Sequence, residues 1–308
     1  MAYTITNLDA KLKNYMDASH DILVSNAIFN ADSTKYMNIQ TEVKAAVPIV
    51  RFDNGITFAD GKTCGFSADG DTTFTNRLLT PAYIKIQKEW CDTDLLDTWA
   101  NYEVNVAAGR ENMPFEEKII NNITEKINAE VEKLIWQGDK TNGTGNMALQ
   151  DGLLTLMAAD ITAGTLTNTV AHVSTDTVYD KTKKAFLAIH DNVMDRSVIV
   201  MSPENYRKLV MELMEKNLYH YKEDTNEEMS LILPGTMTKI QAIAGMAGNN
   251  QIIALPFDEV YYGVDLTSDK EEFKMWYSDD NQKFRFNCKF AVAINYAFPE
   301  NIVVVLAA

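Results

Sequence analysis

Cysteine is scarce in this chain. Cys64, Cys91 and Cys288 are the three present in 308 residues, an odd number at wide spacings and without a C-x-x-C pair. That excludes a disulfide framework and a cysteine zinc motif, and three isolated thiols fit a reducing compartment. Long hydrophobic runs are missing too. The longest uninterrupted apolar tract, Ile302 to Ala308, lies at the end of the sequence. It is far short of the roughly 20 apolar residues that span a bilayer, so no membrane partner is expected. The opening residues, Met1-Ala-Tyr-Thr-Ile-Thr-Asn-Leu-Asp9, have neither the basic nor the apolar region of a signal peptide. Synthesis in a cytoplasm is expected. The chain also lacks internal repeats and low-complexity tracts.

Positive charge is in deficit, with 28 basic residues against 43 acidic ones and a formal charge of −15. Such a chain does not bind nucleic acid through a global positive field, which argues against a transcription factor or a nucleic-acid enzyme. It does not argue against a container into which DNA is driven, because a repulsive wall avoids adhesion.

Signatures of chemistry are missing as well. Gly138-Asp-Lys-Thr141 has the outline of a phosphate loop, but Asp139 stands where phosphate would be repelled, and the loop follows a helix rather than a strand. His20, His172, His190 and His220 are scattered, with no second ligand at helical spacing. Asp69-Gly-Asp71 lacks the later ligands of a calcium loop and is explained by turn chemistry. Asp92, Asp94 and Asp97 read as the solvated start of a helix rather than an acid–base pair. No Gly-x-Ser-x-Gly elbow occurs. The expectation is a protein that is not an enzyme, with no catalytic, cofactor-binding or metal-binding residues and no cofactor.

What is present is a mixed α+β pattern. Asn7 to Phe29 reads as an amphipathic helix, with Leu8, Leu12, Tyr15, Met16, Leu23 and Ala27 near helical spacing and Thr6 or Asn7 as its cap. It could dock on its own domain or on something distant. Val47 to Thr80 has extended character and three turn signals, Asp53-Asn-Gly55, Ala59-Asp-Gly-Lys62 and Ala68-Asp-Gly-Asp71, and reads as a long protruding hairpin. Pro81 to Leu96 reads as a strand, and Asp92 to Tyr102 as a short helix. The strongest signal is 114–137. Pro114 suits a first helical turn, Glu116 and Glu117 suit the positive end of the dipole, and Ile119, Ile123, Ile127, Val131 and Leu134 draw one apolar stripe. Gly138 is the expected stop.

Further on, Asp176 to Asn192 and Pro203 to Lys216 read as helices and Ser197 to Met201 as a buried strand. Tyr219 to Met229 is acidic and polar and reads as an exposed loop. Thr236 to Ile243 and Gln251 to Leu255 read as strands with a turn between them, and Asp258 to Val264 as a helical turn. Glu272 to Tyr277, Phe284 to Tyr296 and Ile302 to Leu306 read as late strands.

The order of these elements, over residues 35 to 306, resembles the HK97-like major capsid proteins of tailed bacteriophages. Four stretches carry the likeness. Thr80-Pro-Ala-Tyr-Ile-Lys-Ile-Gln-Lys-Glu-Trp90 is similar to the strand leaving the family's extended loop. Glu130-Val-Glu-Lys-Leu-Ile-Trp-Gln-Gly-Asp139 with Gln150-Asp-Gly-Leu-Leu154 resembles the end of the spine helix and the loop after it. Arg196-Ser-Val-Ile-Val-Met-Ser-Pro-Glu-Asn-Tyr-Arg-Lys-Leu209 resembles the strand–helix step of the axial domain. Phe284-Arg-Phe-Asn-Cys-Lys-Phe-Ala-Val-Ala-Ile-Asn-Tyr296 resembles the late strand.

The resemblance implies an N-terminal arm over 1–46, an extended loop over 47–80 and a peripheral domain over 81–165 with its spine helix at 114–137. It further implies an axial domain over 166–270, with returning strands over 271–308 that complete both domains. By the same token it implies self-assembly into hexamers and pentamers of an icosahedral shell, built in the host cytoplasm and located in the virion. The shell would enclose double-stranded DNA without sequence-specific binding, with portal, scaffold and decoration proteins as partners. No long scaffolding segment precedes the arm, so a separate scaffold or its prior removal is implied. Some relatives cross-link a loop lysine to an asparagine; Lys62 lies in the loop, but no asparagine partner is identified. The alternative with the same fold is an encapsulin-like compartment holding an enzyme cargo. Outside the fold, the rivals are a soluble enzyme with an unrecognised site, or a tail or decoration module.

Overall fold

A computed structural model describes residues 5–15, 31–58, 60, 65, 70–107, 114–216, 218, 222–223, 230–265 and 274–306. Helix α1 covers 5–15. Leu8 and Leu12, one turn apart, are fully buried in the main core with Ile5 and Tyr15 beside them. Asp9 accepts a 3.1 Å hydrogen bond from the backbone N–H of Tyr277. Lys11 reaches Glu103 at 3.2 Å and lies 5.1 Å over the Trp99 ring. Of the two docking options, the described part of the segment, residues 5–15, packs on its own subunit. Thr6 and Asn7 lie inside the helix rather than capping it. Met16, Leu23 and Ala27 fall outside the described residues.

Two sheets and a ribbon make up the rest. The first sheet contains β1 (Asn38–Gln40), β4 (Ala82–Cys91), β11 (Val260–Val264), β12 (Lys274–Ser278) and β13 (Lys283–Tyr296). Strand β13, with 14 residues, is its axis. One edge pairs with β12 through Lys283 to Asn287 and with β11 through Val292 to Tyr296. The other edge runs antiparallel to β4 from Lys283↔Cys91 to Val292↔Ala82. The helical turn expected at Asp258 to Val264 is mostly strand: a 3-10 turn at Phe257–Glu259 leads into β11, where Val260, Tyr262 and Val264 are buried. Their alternate spacing suits a strand face better than a helix.

Helix α2 (Asp92–Ala107) starts directly after β4 and runs longer than expected. Helix α3 (Phe115–Gln137) then lies against the first sheet, with Pro114 at its N-cap. Ile127, Val131 and Leu134 of the expected stripe are buried; Ile119 and Ile123 are half-buried and Ile120 takes the buried place in the first turns. Gly138 ends the helix, but in extended backbone with φ −56° rather than in the left-handed region. What requires glycine there is space: a Cβ would collide with the Gln150 carbonyl oxygen.

The second sheet orders its strands β5 (Thr169–Val170), β14 (Val303–Val305), β10 (Ile252–Pro256), β6 (Ser197–Met201), β9 (Lys239–Ala242), β8 (Ser230–Ile232) and β7 (Lys222–Glu223). β6 lies between β9 and β10, so those two strands are not a hairpin. Helix α4 (Leu153–Ala163) precedes this sheet in the chain, and α5 (Val178–Leu187) and α6 (Pro203–Glu215) pack on its core. Helix α5 has a capping box between Thr177 and Asp180. It also receives the Glu212 carboxylate, which accepts from the N–H groups of Val178 at 3.1 Å and Tyr179 at 2.7 Å. One α6 side chain thus satisfies the orphan donors of the neighbouring helix.

Candidate assembly surface

The ribbon consists of β2 (Val47–Asn54) and β3 (Thr72–Leu79), paired antiparallel over eight positions from Val47↔Leu79 to Asn54↔Thr72. Asp53-Asn-Gly55 is not its turn. Asn54 still pairs with Thr72, and the Gly55 N–H donates to the Asp71 carbonyl at 2.9 Å. The chain reverses beyond, in a stretch holding the two further Asp-Gly signals, most of which lies outside the described residues.

Alternation along the strands gives the ribbon two unlike faces. On one, Ile49 and Leu79 are buried against Val43, Ala293 and Ala297, the root of the ribbon on the body. Arg51 and Arg77 share that face. Arg77 reaches Asp160 at 2.7 Å and Asn295 at 3.1 Å, and stacks 4.2 Å over the Tyr296 ring. The Tyr296 hydroxyl donates to the same Asp160 carboxylate, and burial with this acidic neighbour pushes the phenol well above its ordinary range. Arg51 forms an ion pair with Glu300 and lies 5.1 Å from the Phe298 ring centre. Two arginines, one per strand, bolt the ribbon to the body.

The opposite face carries Val50, Phe52, Phe74 and Leu78, exposed by 54%, 63%, 68% and 55%. Phe52 and Phe74 meet edge to face at 5.4 Å. Ile56 and Phe58 continue the apolar exposure toward the tip. A two-stranded ribbon in water is marginal by itself, and a contiguous exposed apolar stripe marks an interaction surface.

A groove of about 630 Å³ opens between α3 and β4. Ile84, Ile86, Trp90, Ile123, Ile127 and Phe290 supply its apolar lining, and Lys85, Lys88 and Lys126 bring three cations to it. Within the described residues β4 pairs on one side only, with β13, so its other edge is an open row of backbone donors and acceptors.

The residues weighed for chemistry do not converge. Asp139 binds its own loop, accepting from the N–H groups of Thr141 and Asn142 at 2.8 Å each; the Asn142 donors hold its carboxyl below the usual range. Asp94 and Asp97 are exposed, and Asp92 accepts from the Tyr277 hydroxyl at 3.0 Å. His172 is half-buried and His190 exposed, and the two do not share a cluster of metal ligands; His20 and His220 lie outside the described residues. Cys91 is exposed and Cys288 buried, with no disulfide between them, and Cys64 lies outside the described residues. Among the described residues no three metal-ligating side chains come together, and no helix is long and apolar enough to cross a membrane.

Sequence reasoning missed the arginine bolts and a buried Glu132. Arg77 and Asp160 are too far apart in the chain for any local pattern to link them. Glu132 did carry a partial signal: it lies one turn before Trp136 and next to the apolar stripe residue Val131.

No protein-family model and no curated protein sequence matches the chain. Solved structures do. A chain from the capsid of an empty GTA particle matches with a TM-score of 0.59 at 12% identity, over 90% of each chain. One from the procapsid of satellite phage P4, a particle including the size-determination protein Sid, matches at 0.57 and 10% identity, over 98% of this chain and 97% of the other. One from the capsid asymmetric unit of cyanophage A-1(L) matches at 0.55 and 12% identity, over 89% and 92%. At such identities the likeness is one of fold, and it spans nearly the whole chain.

Proposed function

We propose, from the HK97-like capsid fold of the chain, that it is the major capsid protein of a tailed phage. Its copies close into an icosahedral shell of hexamers and pentamers around double-stranded DNA. The observation that carries this reading beyond fold is the ribbon, an eight-pair hairpin bolted at its root, with an apolar stripe that stays exposed among the described residues. The groove between α3 and β4 of the next copy supplies the complement. Its floor is apolar, and Lys85, Lys88 and Lys126 face it against one carboxylate, Glu130, whereas beyond the paired strands the described residues of the ribbon include Asp60 and Asp71. Many such modest contacts, repeated by symmetry, sum to a stable container.

In this reading the first sheet with α3 is the peripheral domain and the second sheet the axial domain, β13 and β14 returning to complete one each. The role is structural, not enzymatic, and the place is the virion. The charge of −15 suits a wall that does not adhere to its packaged DNA. Portal, scaffold and decoration proteins are the partners such a shell requires.

Negative-stain electron microscopy of the purified protein tests this, expressed alone and then with its neighbouring genes. Closed shells or capsomers are expected. Shells filled with an enzyme rather than DNA would instead mean a cargo compartment of the same fold. A monodisperse monomer or dimer under both conditions would overturn the reading.

A further inference from the structure

Near the end of α3, Glu132 is 3% exposed and has no cation as a hydrogen-bonding or ion-pair partner among the described residues. Both its carboxylate oxygens are taken by one residue of the arm. The Ser33 backbone N–H donates to Oε2 at 3.2 Å, and the Ser33 hydroxyl donates to Oε1. That hydroxyl in turn accepts from Trp136 Nε1 at 2.7 Å. On a third side, a Cβ on Gly245 would collide with the Glu132 carbonyl oxygen and the Trp136 ring, so only glycine lets the axial turn approach. Gln137 clasps that turn, donating to the carbonyls of Gly245 at 2.5 Å and Ala247 at 2.9 Å. Arm, spine helix and axial turn thus meet at one buried acid.

From this geometry we propose that the Ser33–Glu132–Trp136 joint is a proton-operated latch, closed most firmly when Glu132 carries its proton. The surrounding charges fit. The arm brings Asp32, whose negative charge opposes ionisation of Glu132, and Lys35, which sits 3.6 Å from Asp32. The axial turn Ala244–Met246 brings no titratable side chain. On α3 itself, Lys133 is exposed and paired with Glu130 at 3.3 Å. One turn before Glu132, Asn128 is uncharged and brings no cation to the carboxyl. Burial pushes the Glu132 carboxyl up, and Asp32 adds to the push against the Ser33 donors.

The sign follows. With the arm lifted, Glu132 is hydrated and has its ordinary value; with the arm docked, the value is raised. Docking is therefore strongest below the ordinary carboxylate range and weakens as pH rises through the raised value.

Amide hydrogen exchange of residues 31–37 in the unassembled full chain, corrected for intrinsic rates, tests this between about pH 4.5 and pH 8. Protection is expected to fall with pH, by about tenfold for each pKa unit between the docked and lifted states. Glu132→Gln should keep its protection and lose the pH dependence. Ser33→Ala removes a donor that favours the charged form, so its dependence should persist with the midpoint at higher pH. Protection independent of pH in the parent chain, or an unchanged dependence in Glu132→Gln, would overturn the latch. Should Glu132→Gln fail to fold, Ser33→Ala decides: a midpoint unmoved or shifted to lower pH is the overturning result.

Discussion

Replacing Phe52 and Phe74 together by serine should disable assembly and leave the subunit folded. About two-thirds of each ring is exposed in the isolated chain, so that area is available to an intersubunit contact. Burying a whole Phe side chain stabilises by about 1.5–3 kcal/mol, so two-thirds of two rings amounts to about 2–4 kcal/mol per contact. At about 1.4 kcal/mol per decade, the concentration needed for assembly should rise roughly 30- to 700-fold. Within the subunit the change removes one edge-to-face pair, about 0.5–1.5 kcal/mol, because neither ring enters the core. Light scattering over a concentration series, on the chain alone or with whatever partners it needs, reads the first effect. Thermal melting of the unassembled chain reads the second. An assembly threshold within about threefold of the parent's (under about 0.7 kcal/mol), with melting unchanged, would refute the assignment of the stripe to a contact.

Other expectations follow from the same geometry. Arg77→Ala removes charged hydrogen bonds to a mostly buried Asp160 and should destabilise the subunit by about 2–3 kcal/mol in denaturant titration; Arg77→Lys should recover little, because one ammonium cannot reach Asp160 and Asn295 while stacking on Tyr296. Gly245→Ala forces a methyl against the spine helix backbone and should lower stability by about 1–3 kcal/mol, seen as a lower denaturation midpoint. Charge reversal at Lys85 and Lys126 should slow assembly in time-resolved scattering and flatten its salt dependence, since the ribbon tip is acidic; unchanged salt dependence would place the tip elsewhere.

Local chemistry made parts of this fold legible. The spine helix was readable because its start, stripe and stop sit within one stretch, Pro114 to Gly138. The ribbon was readable because a run of turn residues between extended segments has little else to become. The Asp53-Asn-Gly55 turn was misplaced because turn propensity is weaker than continued ladder pairing with Thr72 and Asp71. Strand β11 was misread because the 3-10 turn at Phe257–Glu259 sits against its start and blurs the period. Helix α4 was passed over: Leu153-Leu-Thr-Leu-Met-Ala-Ala159 is apolar nearly all round and draws no stripe. Strand order and the Arg77–Asp160 and Ser33–Glu132 contacts rest on pairings across long stretches of chain, which no local period encodes. The candidate surface was half visible: the hairpin could be read, but the groove that faces α3 exists only once β4 has found β13.

That late pairing has a consequence for how the subunit is made. The first sheet gathers strands from residues 38–40, 82–91, 260–264, 274–278 and 283–296, and the second seats β14 between β5 and β10. The first sheet cannot close until residue 296 has left the ribosome, and the second not until residue 305. At roughly 5–20 residues per second, α3 waits on the order of 10–30 s for β13, the strand that completes the sheet it lies against. Through that interval its isoleucine stripe faces β4 alone, without the closed sheet. High contact order slows the final closure as well. Nascent chains, not finished subunits, are therefore the aggregation-prone species, and chaperone occupancy should concentrate on ribosomes that have passed α3 but not yet reached β13.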